Sequence, residues 1–201
     1  MRIIAFIISS IFHPAFIPLI GFLLLYNLTG YALYLPQSIF WFAILTIVQF
    51  TILVPVGSTY YLYWRKYISS VKLSNRAERP LPLTINLISY SINFAMFYYL
   101  NFPHIIINYF ASIAIISALS MVISLYYKIS LHMMAWGTLT GVILAFSLSI
   151  GLELHFLLSI IIVLTAIIAS ARLWLNEHTF PQVLYAWLSS SLLSFIVMKF
   201  L

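Results

Sequence analysis

The chain contains no cysteine, no aspartate and only three glutamates in 201 residues. Without cysteine there are no disulfides, no thiolate metal centres and no cysteine nucleophile. Without aspartate the carboxylate clusters that hold Mg²⁺ in metal-dependent phosphate enzymes are missing, so neither a metal site nor a cofactor is expected. Charged residues make up 6% of the chain, against about 25% in an ordinary soluble domain. So little polar surface excludes a soluble globular protein, a disordered tail and a nucleic-acid binder. What fills the chain instead is 64% hydrophobic residues, 17% of all positions being aromatic, with a mean hydropathy of +1.12. This is the composition of an all-α integral membrane protein.

A membrane-crossing helix takes roughly 20 mostly apolar residues. Seven stretches meet or approach that length, at about 3–27, 39–64, 82–101, 104–126, 133–151, 154–174 and 183–200. No repeat or soluble linker divides them, so residues 1–201 read as one transmembrane domain, a bundle of six to seven helices. Residues 3–27 are too long for a signal-peptide core and lack a small-residue cleavage pattern, so they read as a retained helix. Pro14, Pro18 and Pro55 predict bends or breaks, tolerable only where neighbours satisfy the freed carbonyls. His13 reads as an interhelical hydrogen-bonder rather than a ligand, and no function is assigned to it. The connections near 28–38, 101–104 and 151–155 are short, with turn signals at Thr29-Gly30, Asn101-Phe102-Pro103 and Gly151.

The other three connections carry almost all the charge. They hold Arg65-Lys66 and Lys72 to Pro80, then Lys128-Ile129-Ser130-Leu131-His132, then Arg172 to Gln182 with Glu177 and His178 between. If every segment spans, eight of the nine basic residues lie on one side and Lys199 alone on the other. An excess of Lys and Arg in cytoplasmic loops explains a basic side by itself. It does not explain paired basics and histidines at defined spacings in loops able to converge into a cationic bowl. Arg172 closes an apolar run, where a charge costs on the order of 2.5–3.5 kcal/mol on insertion scales. Several cations with two imidazoles suit a phosphate group: the cations neutralise its oxygens, one imidazole attacks phosphorus, and the other moves the proton.

The spacings then match a known pattern. Lys72, six residues, then Arg79-Pro80 resembles the first motif of the type 2 phosphatidic acid phosphatase superfamily, K-x6-R-P. Ser130-Leu131-His132 resembles the Ser and His of its second, P-S-G-H. Arg172, five residues, then His178 resembles its third, S-R-x5-H-x3-D. The resemblance covers residues 72–182, with a motif-bearing core of about 65–185. It implies that Lys72, Arg79, Ser130 and Arg172 bind phosphate, that His178 is the nucleophile and that His132 is the acid–base group. It also implies a helix bundle acting, without a metal, on a lipid phosphate or pyrophosphate in a bacterial inner membrane, the bilayer and its lipid being the partners. The chain departs from the pattern at Ala171 for Ser, at Ile129 and Leu131 for Pro and Gly, and at Gln182 for the Asp that orients the nucleophilic histidine. Gln182 accepts a hydrogen bond but supports the imidazolium less than a carboxylate. Adjacent Glu177 is expected to point elsewhere. The alternative, from another class, is a non-catalytic or weakly active lipid-phosphate-binding protein or small transporter using the same basic bowl.

Outside the islands, His104, Glu153 and His155 are expected at the opposite surface. Met133, Met134 and Trp136 read as packing or lipid contacts, and Gly137-x3-Gly141 and Ser189-Ser190-Ser191 as small-residue helix packing. The five tryptophans, Trp41, Trp64, Trp136, Trp174 and Trp187, fit interfacial belts.

Overall fold

The structure, a computed structural model, describes residues 2–30 and 35–201. The middle of the connection expected near 28–38 therefore lies outside the described residues. Among the described residues every regular element is helical: α1 Arg2–Ile11, α2 Ile17–Thr29, α3 Gln37–Ile47, α4 Val54–Trp64, α5 Pro80–Tyr99, α6 His104–Tyr126, α7 Leu131–Ile150, α8 His155–Trp174 and α9 Phe180–Phe200. They assemble seven segments, because α1 with α2 and α3 with α4 each form one interrupted helix. Six segments are long and apolar enough to cross a membrane, which makes this a multi-pass membrane protein. The seventh, α5, has 20 residues, about 30 Å of helix. Its polar Ser89 and Asn93 are buried against protein rather than lipid.

The proline positions explain both interruptions. Pro14 cannot donate to residue 10, and it holds His13 in an extended conformation (φ −64°, ψ 139°). α1 stops, a 3-10 turn spans Pro14–Phe16, and α2 starts with Pro18 in its first turn, where no N–H is missed. In the second segment Val48–Leu53 winds as a π-helix before α4 resumes. A π turn pairs each carbonyl with the N–H five residues on, and for Phe50 that residue is Pro55. Ser89 of α5 donates its hydroxyl to the Phe50 carbonyl instead. The 3-10 turn and the π segment pack on each other, so the two breaks share one region of the bundle.

At the centre stands α7, which buries most of its length, including Met133, Met134 and Trp136. Trp136 thus belongs to the core and not to an interfacial belt; its indole donates to the Phe12 carbonyl (3.3 Å) just before the break. Trp41, Trp64 and Trp174 are exposed as a belt requires. α7 and α9 pack closely because a Cβ on Gly137 would meet Ser190 and the Trp187 carbonyl, and one on Gly141 would meet the Ser191 carbonyl and Ser194. Ser194 also donates across the seam to the Thr138 carbonyl (3.2 Å). The serine triplet and the glycine pair are therefore one interface. His104 and His155 are exposed at the first residues of α6 and α8, and Glu153 is exposed in the connection between α7 and α8.

The α7–α9 seam yields a stability test. Gly141→Ala places a methyl against backbone, so it is expected to lower stability by about 1–3 kcal/mol, the usual range for overpacking. Gly57→Ala, which meets nothing within 4 Å, is expected to be neutral. Unfolding of both variants in detergent checks the contrast.

Candidate functional site

The three charged connections meet at the ends of α5, α7 and α9. Residues 65–79 are folded on themselves by Glu78, whose carboxylate accepts from the Ser69 backbone (2.8 Å), the Ser69 hydroxyl (3.0 Å) and the Asn75 amide (3.2 Å). Those bonds hold its carboxyl below the usual range. Arg76 donates to the Leu125 carbonyl at the end of α6. Both residues thus build the loop and leave the site to others.

Arg79, only 3% exposed, joins the first connection to the second. Its Nε donates to the Leu73 carbonyl (2.9 Å) and its Nη1 to the Ile129 carbonyl (2.8 Å). Leu73 adopts φ +51°, a left-handed conformation unfavourable for a leucine, and presents its carbonyl to Arg79. Burial, then the nearby Arg172, lower the guanidinium's affinity for its proton, while Glu177 raises it. Ile129, standing where the motif has Pro, is buried and contributes its backbone oxygen.

The third connection closes over this pair. Glu177 lies 3.9 Å from the Arg172 guanidinium and accepts from the Ser74 hydroxyl at 3.4 Å, so it bridges to the first connection and points away from His178, as expected. Gln182 at the start of α9 accepts from the Thr179 N–H (3.1 Å) and faces Nδ1 of His178 (3.2 Å). An oxygen that accepts from a backbone N–H is an amide oxygen, so Nδ1 of His178 must be the protonated nitrogen and Nε2 carries the free lone pair. Thr179 and Gln182 also form a capping box for α9. One side chain therefore fixes the helix start and the tautomer together. Burial, then Arg172, push the His178 imidazole down to about 4; Arg79 and Lys128 add to this and the Gln182 hydrogen bond opposes it. His178 is neutral near pH 7.

His132, in the first turn of α7, places Nε2 3.1 Å from the Ser9 carbonyl of α1. A carbonyl only accepts, so Nε2 bears the proton and Nδ1 is free. Arg172, His178 and His13 are all close enough to act on His132 electrostatically. Ser130 occupies the N-cap position of α7 without capping it; its hydroxyl is fully buried and has no partner among the described residues. Nε of Arg172 and the hydroxyl of Ser9 are likewise buried and unpartnered. Leaving such groups unpaired costs about 1–3 kcal/mol each. The Arg172 and Ser130 donors, with two imidazoles and the positive end of a 20-residue helix, could accept an anion with several oxygens.

Of the six residues expected to act, Arg79, Ser130, His132, Arg172 and His178 belong to this cluster. Lys72 stands at its rim: it is exposed, with Nζ 5.3 Å from the Phe6 ring centroid. Phe6 and Ser9 are one turn apart on the same face of α1, so Lys72 and His132 meet α1 side by side. The part played by α1 is absent from the sequence reading, which confines the site to residues 72–182. The available signal was an ionisable His13 inside an apolar segment, a functional candidate by default. Among the described residues no three of His, Asp and Glu are grouped to hold a metal ion. No family model, curated protein or solved structure matches this chain.

The depressed His178 sets a pH dependence. An unfolded histidine titrates near 6.5, so between that pH and about 4 the unfolded chain takes up a proton that the folded one refuses. Stability is then full above the upper limit, declines as pH falls through the window and levels below it. Melting curves of wild type and His178→Gln from pH 8 to pH 4 are expected to diverge, with wild type losing the more.

Proposed function

We propose that the chain is a metal-independent membrane phosphatase, a divergent member of the type 2 phosphatidic acid phosphatase superfamily, acting on a lipid phosphate or pyrophosphate. The single observation that carries this reading is the fixed tautomer of His178: a neutral imidazole with Nδ1 tied to Gln182, near Nε of Arg172 and the Ser130 hydroxyl, two buried donors with no partner among the described residues. An anion-binding protein needs the donors alone; a neutral, oriented nucleophile is a further requirement of covalent catalysis. The spacing of Lys72, Arg79, Arg172 and His178 supports the same assignment.

In this reading the phosphate sits between Arg172, Ser130 and the start of α7. Nε2 of His178 attacks phosphorus and forms the P–N bond as the bond to the lipid oxygen breaks. Nδ1 of His132, free while its Nε2–H is held by Ser9, takes the proton that the bound phosphate monoanion brings and passes it to the departing oxygen. It then takes a proton from the water that attacks the phosphohistidine. Cleavage of the P–N bond releases phosphate and returns His178 to its neutral form. Arg79 acts by holding the first two connections together while its charge, with that of Arg172, offsets the negative charge that shifts toward the leaving oxygen. Gln182 orients His178 but supports the cationic stage less than a carboxylate would. A bacterial inner membrane is the location that fits this reading.

The second reading, a binding protein or small transporter, draws support from the broken first helix and the π segment, since interrupted helices line solute sites in transporters. Phosphate release from lipid phosphates in the presence of EDTA separates the two. Turnover by wild type is expected to persist in EDTA, to vanish in His178→Ala, and to rise or stay level in Gln182→Asp. Undiminished turnover in purified His178→Ala contradicts the proposal.

A further inference from the structure

The site as described draws on three connections, yet His132 is held by the first helix. α1 ends at the proline break, and four contacts fasten α1 and the break to the site: the Ser9 carbonyl to His132, the Phe12 carbonyl to Trp136, the Phe6 ring beneath Lys72, and the His13 ring edge-on to His132 with centroids 5.6 Å apart. Two polar groups of this segment keep donors that its own hydrogen bonds do not use. The Ser9 hydroxyl is buried, at 5% exposure, and has no partner among the described residues, although a serine in a helix has the carbonyl four residues back to donate to. His13 is exposed, in a segment that is otherwise apolar from Ile3 to Phe12 except for two serines. An imidazole facing lipid at that depth is costly; one opening on an anion site beside Arg172 and His132 is not.

Local geometry also defines what His13 offers. Its Nδ1 accepts from the Ala15 N–H (3.3 Å), capping the 3-10 turn. The neutral ring therefore carries its proton on Nε2, as a donor. Proline at position 14 fixes the backbone that aims it, so the break in the first helix has a purpose beyond bending. We infer that the broken first helix is a fourth wall of the site, with the Ser9 hydroxyl and Nε2–H of His13 donating to oxygens of the bound phosphate. This rests on the phosphate reading of the site given above and adds to it two residues outside the motif-bearing region. His13 and Ser9 contact the anion; neither takes part in bond making.

Two substitutions separate this role from a structural one. Ser9→Ala keeps the carbonyl that holds His132 and deletes only a buried hydroxyl without a partner, so melting temperature should hold or rise. His13→Ser keeps a side-chain oxygen able to cap the Ala15 N–H, serine being a favoured capping residue, and removes the imidazole. The readout is affinity for orthovanadate and for inorganic phosphate, measured by titration of the purified protein in detergent, with melting curves alongside. Each variant is expected to bind both anions several-fold more weakly than wild type, and the double variant at least ten-fold more weakly, with the fold intact. Wild-type affinity in folded Ser9→Ala and His13→Ser overturns the inference and leaves the phosphate reading standing. Failure of the wild-type protein to bind either anion overturns both. Should His13→Ser fail to fold, Ser9→Ala together with His13→Asn, which also caps, decides in its place.

Discussion

A guanidinium taken out of water must find acceptors, and Arg79 finds them in two backbone carbonyls, that of Leu73 in its own connection and that of Ile129, 50 residues further along the chain. That requirement organises the charged end of the bundle. Because Nε needs the Leu73 carbonyl, the first connection turns back through a left-handed residue. Because Nη1 needs the Ile129 carbonyl, the second connection is drawn under the first, which leaves Ser130 and His132 at the start of α7 facing the space between them. Neutral acceptors satisfy the hydrogen bonds of Arg79 without cancelling its charge. The positive field therefore persists into the site, where it acts together with Arg172 on His178.

Much of the fold was legible in the sequence because a bilayer imposes few choices. Apolar runs of membrane length marked the seven segments within a few residues, and the glycine and serine spacings marked the α7–α9 seam. The prolines were legible as breaks, though not which donors would repair them, since Ser89 and Phe50 come together only by packing. Trp136 was read both as a packing contact and as one of the belt residues; the packing reading holds, and the belt reading fails because composition does not distinguish a buried indole from an interfacial one. In the site, residues with close sequence partners were legible: Gln182 reaches His178 within a single helix turn. Glu177 was expected to point away from its neighbour, and its carboxylate does so, although its link to Ser74 spans 103 positions. The contribution of α1 was not legible, since its tie to His132 runs through a backbone carbonyl, which any residue at position 9 supplies.

The departures from the motif pattern have consistent physical readings in this structure. Ile129 needs only its carbonyl and a buried apolar side chain, and it supplies both. Ala171 is buried in the wall of α8, beside an apolar groove against α1 with a volume of about 500 Å³. Gln182 replaces a charge by a neutral acceptor in a place where the protein keeps the histidine neutral. A carboxylate there would pull the imidazole toward its cation before attack; an amide leaves the lone pair available and gives less support afterwards. In the proposed reaction that trade places the burden of the cationic stage on the phosphate, whose charge Arg172 and Arg79 would offset.

The central claim is that His178 attacks through Nε2, because Gln182 occupies Nδ1. Rapid mixing with a phosphorylated lipid bearing a good leaving group and an alkaline quench trap the intermediate; peptide mass spectrometry then reports the phosphorylated residue and phosphorus NMR the ring nitrogen. The account predicts a phosphoryl group on Nε2 of His178 in wild type and none in His178→Ala. Phosphorylation on Nδ1, phosphorylation of His132 instead, or turnover with no phosphohistidine at all would contradict it.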